Sequence, residues 1–356
     1  MPDSGLRVAV LGAGPIGLGS AALLAERGHT PVLWSPSVDA LRSAMGSSGV
    51  KAGGALDHAF VPTLATDCAT AVADADAVLI AVPGTAYRTV LDALAPALRD
   101  GQPVLISGHL SFAALYLARV VAARGIAVPI AAWGTTAVSG RRNGPASVNV
   151  SSVRAEVDVG VLPREASETM LALCCHLFGV RFRLRDGLIA ITLSNVNPQN
   201  HLAIALTNFT RIELGETWRQ NSNITRSVGR LMEALDAERL AIADAFGVTV
   251  RTLRRHFHLS FHVPEAPLDV MAGQLARRGS DPVAPSNPRT RYVLEDAPFG
   301  LHPVCVLGDV CGRPATLHAA GLALLSAMYG RDLAQDNDIL PALDLSLMTG
   351  DQLHSL

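Results

Sequence analysis

Residues 6–17 read LRVAVLGAGPIG, and LGSAALLAERGH follows at residues 18–29. Apart from Arg7 the first six residues are apolar or β-branched, the composition of a buried strand, whereas the second run has the Ala- and Leu-rich pattern of a helix. Between them lies Gly12-Ala13-Gly14-Pro15-Ile16-Gly17, a G-x-G-x-x-G joining strand to helix in the order a dinucleotide-binding turn requires. Gly12 permits the tight turn, Gly14 lets the backbone approach a pyrophosphate, and Gly17 lets helix and strand pack closely. The helix opening at Pro15 and Ile16 offers N–H groups to the phosphates. Gly12, Gly14, Pro15, Ile16 and Gly17 are therefore candidate contacts of a dinucleotide; a purely structural glycine-rich turn is the alternative.

The second strand is predicted at residues 30–34 (TPVLW), and an acidic residue at its end would bind the ribose 2′-OH of NAD. Here that position is Ser35, followed by Ser37 and Arg42, a set suited to a 2′-phosphate. NADP(H) is favoured, with NAD(H) possible through Asp39. Strand–helix alternation continues through DADAVLIAVP with a helix over 85–98, PVLISG with a helix over 111–124, and AVPIAAWG. This alternation predicts an α/β fold, a doubly wound parallel Rossmann sheet whose ligands bind at the carboxyl ends of the strands. Val82, Pro83, Gly84, Gly108, His109, Gly134, Thr135 and Thr136 are then rim candidates, with His109 expected to be solvated. Residues 143–162 alternate polar and apolar as sheet-edge strands do, 167–178 read as a helix and 180–184 as a last strand. The nucleotide domain is expected to span 1–185, and an all-helical domain 186–356.

The whole chain has 356 residues, is 49% hydrophobic and carries a formal net charge of −2. That suits two cores and gives no electrostatic footprint for nucleic acid or an anionic membrane, so small-molecule partners are expected. The five cysteines form no CxxC pair and predict reduced, mostly buried thiols. No leader peptide or membrane span is expected, and the location is read as cytoplasmic. Lys51 is the single lysine among 29 basic residues.

After residue 185 the pattern turns helical. Leu188 to Trp218 reads as one long, largely apolar helix interrupted by Asn195, Asn197, Asn200, His201 and Asn208. Buried polar side chains without partners cost roughly 1–3 kcal/mol each, so several close together suggest a polar pocket. A structurally satisfied His201 is the alternative. Further on come DAERLAIADAFG, the basic RTLRRHFHLSFHV, the Pro- and Ser-rich SDPVAPSNPRT, and TRYVLEDAPFGLHPV. His256, His258 and His262 lack an accompanying cysteine or acid, and no metal site is expected.

Taken together, GAGPIG, SNVNPQNH with N-x-x-R-x-E after it, DAERLAIADAFG and TRYVLEDAPFGLHPV resemble the octopine/nopaline (opine) dehydrogenase family, including its bacterial carboxyethyl-norvaline type. The resemblance covers nearly the whole chain. It implies a Rossmann domain, a helical opine-dehydrogenase domain, and NAD(P)H-dependent condensation of an amine with a 2-oxo acid. Position by position, the catalytic histidine falls on His201, its aspartate partner on Asp296, and the arginine that engages a substrate carboxylate on Arg291. Thr135 and Asn208 are further substrate-binding candidates. Leu202 stands where the family usually has proline, implying an unkinked helix, and Trp133-Gly134-Thr135-Thr136 replaces a more acidic stretch.

Histidine exchanges protons near neutral pH, an aspartate fixes its tautomer, and arginine offers a two-pronged donor to carboxylate. Relatives that reduce ketopantoate or dihydroxyacetone phosphate on a similar architecture use a lysine of the helical domain, and none occurs here after residue 185. A biosynthetic ketone or imine reductase, a 2-hydroxy-acid dehydrogenase and a nucleotide-binding sensor are the alternative functions. The apolar spacing of GLALLSAMYGRDL suits packing on the core or on a second subunit of a homodimer.

Overall fold

The structure, a computed structural model, describes residues 5–46 and 48–348. It divides into two compact units, Met1–Ile191 and Thr192–Ser355. Their division falls inside a helix, six residues beyond the boundary expected at 185/186.

The N-terminal unit contains β1 (Arg7–Leu11), β2 (Thr30–Trp34), β3 (Val50–Gly54), β4 (His58–Phe60), β5 (Thr63–Leu64), β6 (Ala77–Ile80), β7 (Val104–Ile106), β8 (Ile130–Trp133), β9 (Val138–Arg142), β10 (Ser147–Val153), β11 (Val157–Leu162) and β12 (Phe182–Leu184). Its main helices are α1 (Pro15–Glu26), α2 (Val38–Met45), α3 (Cys68–Val72), α4 (Tyr87–Leu94), α5 (Ala113–Ala122) and α6 (Ser167–Phe178). Eight strands form one sheet in the order β12-β11-β8-β7-β6-β1-β2-β5. The six from β8 to β5 are parallel, and the order reverses between β1 and β6. A crevice at such a reversal is the usual ligand site of an open α/β sheet. The strands β1, β6, β7 and β8 are apolar on both faces, as strands covered on both sides must be.

The edge-strand region behaves differently from expectation. β10 leaves the main sheet and pairs with β3 and β9 in a second sheet of order β4-β3-β10-β9, while β11 runs antiparallel to β8 in the first. The second sheet lies on α1. Val138 and Val150 methyls stand 3.2 and 3.3 Å from where a Cβ on Gly19 would project, so a larger residue there would push the layers apart.

The boundary helix α7 (Gly187–Ser194) leads to α8 (Asn197–Thr207), α9 (Phe209–Glu213), α10 (Arg226–Ala245), α11 (Leu253–Phe261), α12 (Leu268–Arg277), α13 (Arg291–Leu294), a π-helical turn (Ala297–Leu301), α14 (His302–Val310) and α15 (Thr316–Met328). The long helix expected over Leu188 to Trp218 is thus three helices. Asn195 Oδ1 accepts from the Asn197 N–H at 3.1 Å, and Pro198 sits in the first turn of α8. Both features favour starting a new helix over continuing the old one.

Among the described residues no helix is long and apolar enough to cross a membrane. The five cysteines are free, but only Cys68 and Cys174 are fully buried, fewer than the sequence suggests.

Candidate active site

His201 lies one turn into α8, and its Nδ1 is 2.6 Å from Asp296 Oδ2. Both side chains are partly buried, at 19% and 13% exposure, so the pair is largely desolvated. Their separation of 95 positions in sequence is bridged by packing. Asp296 immediately precedes the π-helical turn, a feature that often marks functional positions. Within that turn Gly300 faces the Pro198 ring of α8. Asn337 donates to the Pro298 carbonyl at 2.8 Å and fixes the turn from its other side.

Tyr292 completes the arrangement, and the sequence reading missed it. Its ring stacks on the His201 imidazole with centroids 3.5 Å apart and planes 12° from parallel. Its hydroxyl donates to Gln220 Oε1 at 2.6 Å. The signal was present in RYVLED, since Tyr292 and Asp296 are four residues apart and so fall on one side of a helical turn. What the spacing lacks is any sign that the ring lies on the histidine.

Arg291 and Glu295 form a second pair at the same spacing, a salt bridge between a guanidinium whose side chain is 78% exposed and a carboxylate 5% exposed. Glu295 therefore anchors the exposed Arg291 from inside. A cavity of about 440 Å³ adjoins His201, lined by Asn197, Asn200, Gln220, His256 and Phe257 among others. Its one carboxylate, Asp281, accepts from the Asn221 and Ser222 N–H groups and the Ser222 hydroxyl, which commits it to the loop.

One expectation is revised, that for His109. The Asn208 amide donates to Ile204 O at 3.0 Å and Thr207 Oγ1 at 3.1 Å, closing the end of α8. His109 is 1% exposed rather than solvated. Its Nε2 accepts from the Ala114 N–H, and burial pushes its pKa down to about 3, so it is neutral. His256, His258 and His262 are dispersed over α11 and its end: His258 Nδ1 contacts the Val263 carbonyl at 2.8 Å, and no metal-ligating cluster occurs among the described residues.

The dinucleotide candidates belong to the N-terminal unit. Gly12 has φ +127°, and a Cβ there would stand 2.4 Å from the Ala81 carbonyl oxygen; one on Gly17 would stand 1.9 Å from the Gly12 oxygen. Both glycines are required by the protein's own packing. Gly14 is different, since a Cβ there meets nothing within 4 Å. The space over Gly14, beside a helix N-terminus with no side-chain cap and no acid in its first turn, fits a pyrophosphate. Val82 and exposed Pro83 follow β6 beside this turn, with Val82 Cγ1 3.0 Å from the projected Gly12 Cβ. Ser35 Oγ accepts from the Ser37 N–H at 3.2 Å, and exposed Arg42 donates to Leu64 O at 3.4 Å. Thr135 is half-buried after β8.

Known proteins share both halves. Residues 184–329 match the family described as NAD/NADP octopine/nopaline dehydrogenase, alpha-helical domain, and residues 7–109 match the NAD-dependent glycerol-3-phosphate dehydrogenase N-terminus. The chain is 28% identical over 352 residues to an opine dehydrogenase of Arthrobacter sp. (strain 1C), covering 98% of this chain and 97% of that one. Its fold is similar to a structure of octopine dehydrogenase in complex with NADH and agmatine, with TM-score 0.81, 16% identity and 98% coverage of both chains. A structure of octopine dehydrogenase with NADH and pyruvate gives TM-score 0.76 at 16% identity, covering 91% of this chain and 89% of that one. With the histidine–aspartate pair and the glycine-rich turn on the same chain as these matches, the protein is an opine dehydrogenase-like NAD(P)-dependent oxidoreductase whose helical part matches the octopine/nopaline dehydrogenase domain.

Proposed function

We propose that the protein reductively condenses an amine, an amino acid in the first instance, with a 2-oxo acid, and that His201 is its acid/base. When bound, NAD(P)H supplies the hydride from C4 of its nicotinamide. Asp296 holds Nδ1 of His201, which leaves Nε2 to exchange protons with substrate. In condensation the amine nitrogen bonds to the keto carbon and passes one of its protons to the keto oxygen; His201 donates the second proton, and that oxygen departs as water to leave a protonated C=N. The resulting C=N carbon then accepts the hydride, giving a secondary amine that carries both acid portions. Asp296 stabilises the imidazolium whenever His201 is charged, and the Tyr292 face adds a cation–π contribution. Arg291, exposed yet anchored on Glu295, pairs with the 2-oxo acid carboxylate through charge-assisted hydrogen bonds.

The 2.6 Å contact between His201 and Asp296 carries this reading. Support for the substrate classes comes from the octopine dehydrogenase structures whose descriptions name agmatine and pyruvate. NADP(H) is the favoured cofactor, since Ser35 replaces a ribose-binding acid and Arg42 is an exposed cation seven residues on.

The test follows reduced-cofactor oxidation at 340 nm with panels of amines and 2-oxo acids, for wild type and His201→Ala. The expected result is amine-dependent oxidation, lowered by about 10²–10⁴-fold in the variant while NADPH binding persists. Oxidation with a 2-oxo acid alone would identify a 2-hydroxy-acid dehydrogenase instead, and wild-type turnover in the variant would remove His201 from the mechanism.

A further inference from the structure

We infer that Arg142, from the small second sheet, is a binding residue for the cofactor pyrophosphate; this rests on the glycine-rich turn being the dinucleotide site. Its guanidinium donates to the carbonyl of Ala13, between Gly12 and Gly14. The contact spans 129 residues and brings a cation to the turn that no G-x-G-x-x-G pattern includes.

The route is structural. Gly19 lets Val138 of β9 and Val150 of β10 close onto α1. Along β9, Val138, Gly140 and Arg142 fall on one face because side chains alternate. Four strand residues cover roughly 13 Å; the four residues from Gly19 back to Pro15 cover about 6 Å at helical rise, and the extended Gly14 carries the chain on to Ala13 beyond the helix start. A strand whose Val138 packs at Gly19 therefore carries Arg142 to the mouth of the turn. Gly140 is needed on the way, since a Cβ there would stand 2.7 Å from the Asn149 carbonyl oxygen.

Three features at that mouth favour an anion. The α1 N-terminus has no side-chain cap and no acid in its first turn, the space over Gly14 is open, and Arg142 is exposed. An arginine held by one carbonyl still has donors on its planar fork for phosphate oxygens. The pyrophosphate is common to both nicotinamide cofactors, so Arg142 contributes to affinity without choosing between them. Choice is left to the Ser35, Ser37 and Arg42 region.

The experiment titrates the full chain with NADH and with NADPH by nicotinamide fluorescence at low and high salt, comparing wild type, Arg142→Gln and Arg142→Lys. The expected result is about tenfold weaker binding of both cofactors to R142Q, the order of one charge-assisted contact, with R142K within about threefold of wild type. Because the lost contact is ionic, R142Q affinity should also fall less steeply with salt. Wild-type affinity in R142Q, or a loss that leaves the salt slope unchanged, would overturn the phosphate role; the second result would mean that Arg142 only holds Ala13. If R142Q does not fold, R142K decides: affinity kept within threefold supports the role, and a tenfold loss with a native melting curve overturns it. Failure of wild type to bind either cofactor would remove the dinucleotide reading and this inference with it, whereas binding unaffected by R142Q removes the inference alone.

Discussion

Gly300 lies so close to Pro198 that a Cβ built on the glycine would stand 2.3 Å from Pro198 Cγ. Through this contact the π-helical turn after Asp296 seats on the first turn of α8, which carries His201. Gly300→Ala should therefore push the two segments apart. We expect a stability loss of about 1–3 kcal/mol by urea unfolding, as for other overpacked sites. Turnover should fall by more than cofactor binding, because the displaced contact is the one between His201 and Asp296. Unchanged turnover in the folded variant would show that the turn adapts without moving Asp296.

Tyr292 contributes a stacking face and a hydroxyl, and the two are separable. Tyr292→Phe keeps the ring on His201 and loses the bond to Gln220, worth about 1 kcal/mol net. Tyr292→Leu loses the stack as well. Steady-state kinetics should show the leucine variant about tenfold slower than the phenylalanine variant. Equal rates would make the ring a spacer.

Cofactor choice is predicted to turn on residue 35. Ser35→Asp places a carboxylate where a 2′-phosphate would lie and where a ribose 2′-hydroxyl would be accepted. NADPH affinity should drop by more than tenfold on fluorescence titration while NADH affinity holds or improves. Parallel losses for both cofactors would mean that the Ser35–Ser37 turn has collapsed rather than changed its ligand.

Acid sensitivity is expected from Glu238 on α10. Its carboxylate accepts from the Leu317 and His318 N–H groups at the start of α15 and contacts His318 Nδ1 at 2.9 Å. Burial alone would raise its pKa, but these hydrogen bonds and the charge of His318 hold it below the ordinary glutamate value. A depressed carboxylate stabilises the fold fully above its unfolded pKa of about 4.3 and loses that contribution as pH falls through the folded value. The melting temperature of wild type should thus exceed that of Glu238→Gln at neutral pH, and the gap should close below about pH 4. A gap independent of pH would assign the effect to packing.

Arg239 is a buried ion of the helical unit, at 0% exposure, bonded to Asp236 and to the Leu193 and Arg251 carbonyls. Asp236 in turn accepts from the Leu253 N–H at 2.8 Å, so the pair ties α7, α10 and α11 together. Removing one partner strands the other charge, and Arg239→Ala should cost about 3–5 kcal/mol. Replacing both residues by apolar ones of similar volume should cost less, a comparison that chemical denaturation can make.

The sequence by itself determined the elements whose signal is local. β1, the glycine-rich turn and α1 follow from residues 6–29 because a parallel buried strand, a tight turn and a helix each need particular neighbours along the chain. Ser35 in place of an acid was equally legible, and the family resemblance marked His201, Arg291 and Asp296. Tertiary structure decided what depends on distant surfaces meeting. The short alternating strands β9 and β10 have the same pattern whether they edge the main sheet or form another, and only packing against Gly19 places them on α1. His109 looked solvated because a loop position says nothing of what covers it. The His201–Asp296 contact, the Tyr292 stack and the Gly300–Pro198 seat join segments about a hundred residues apart, and periodicity carries no information over that separation.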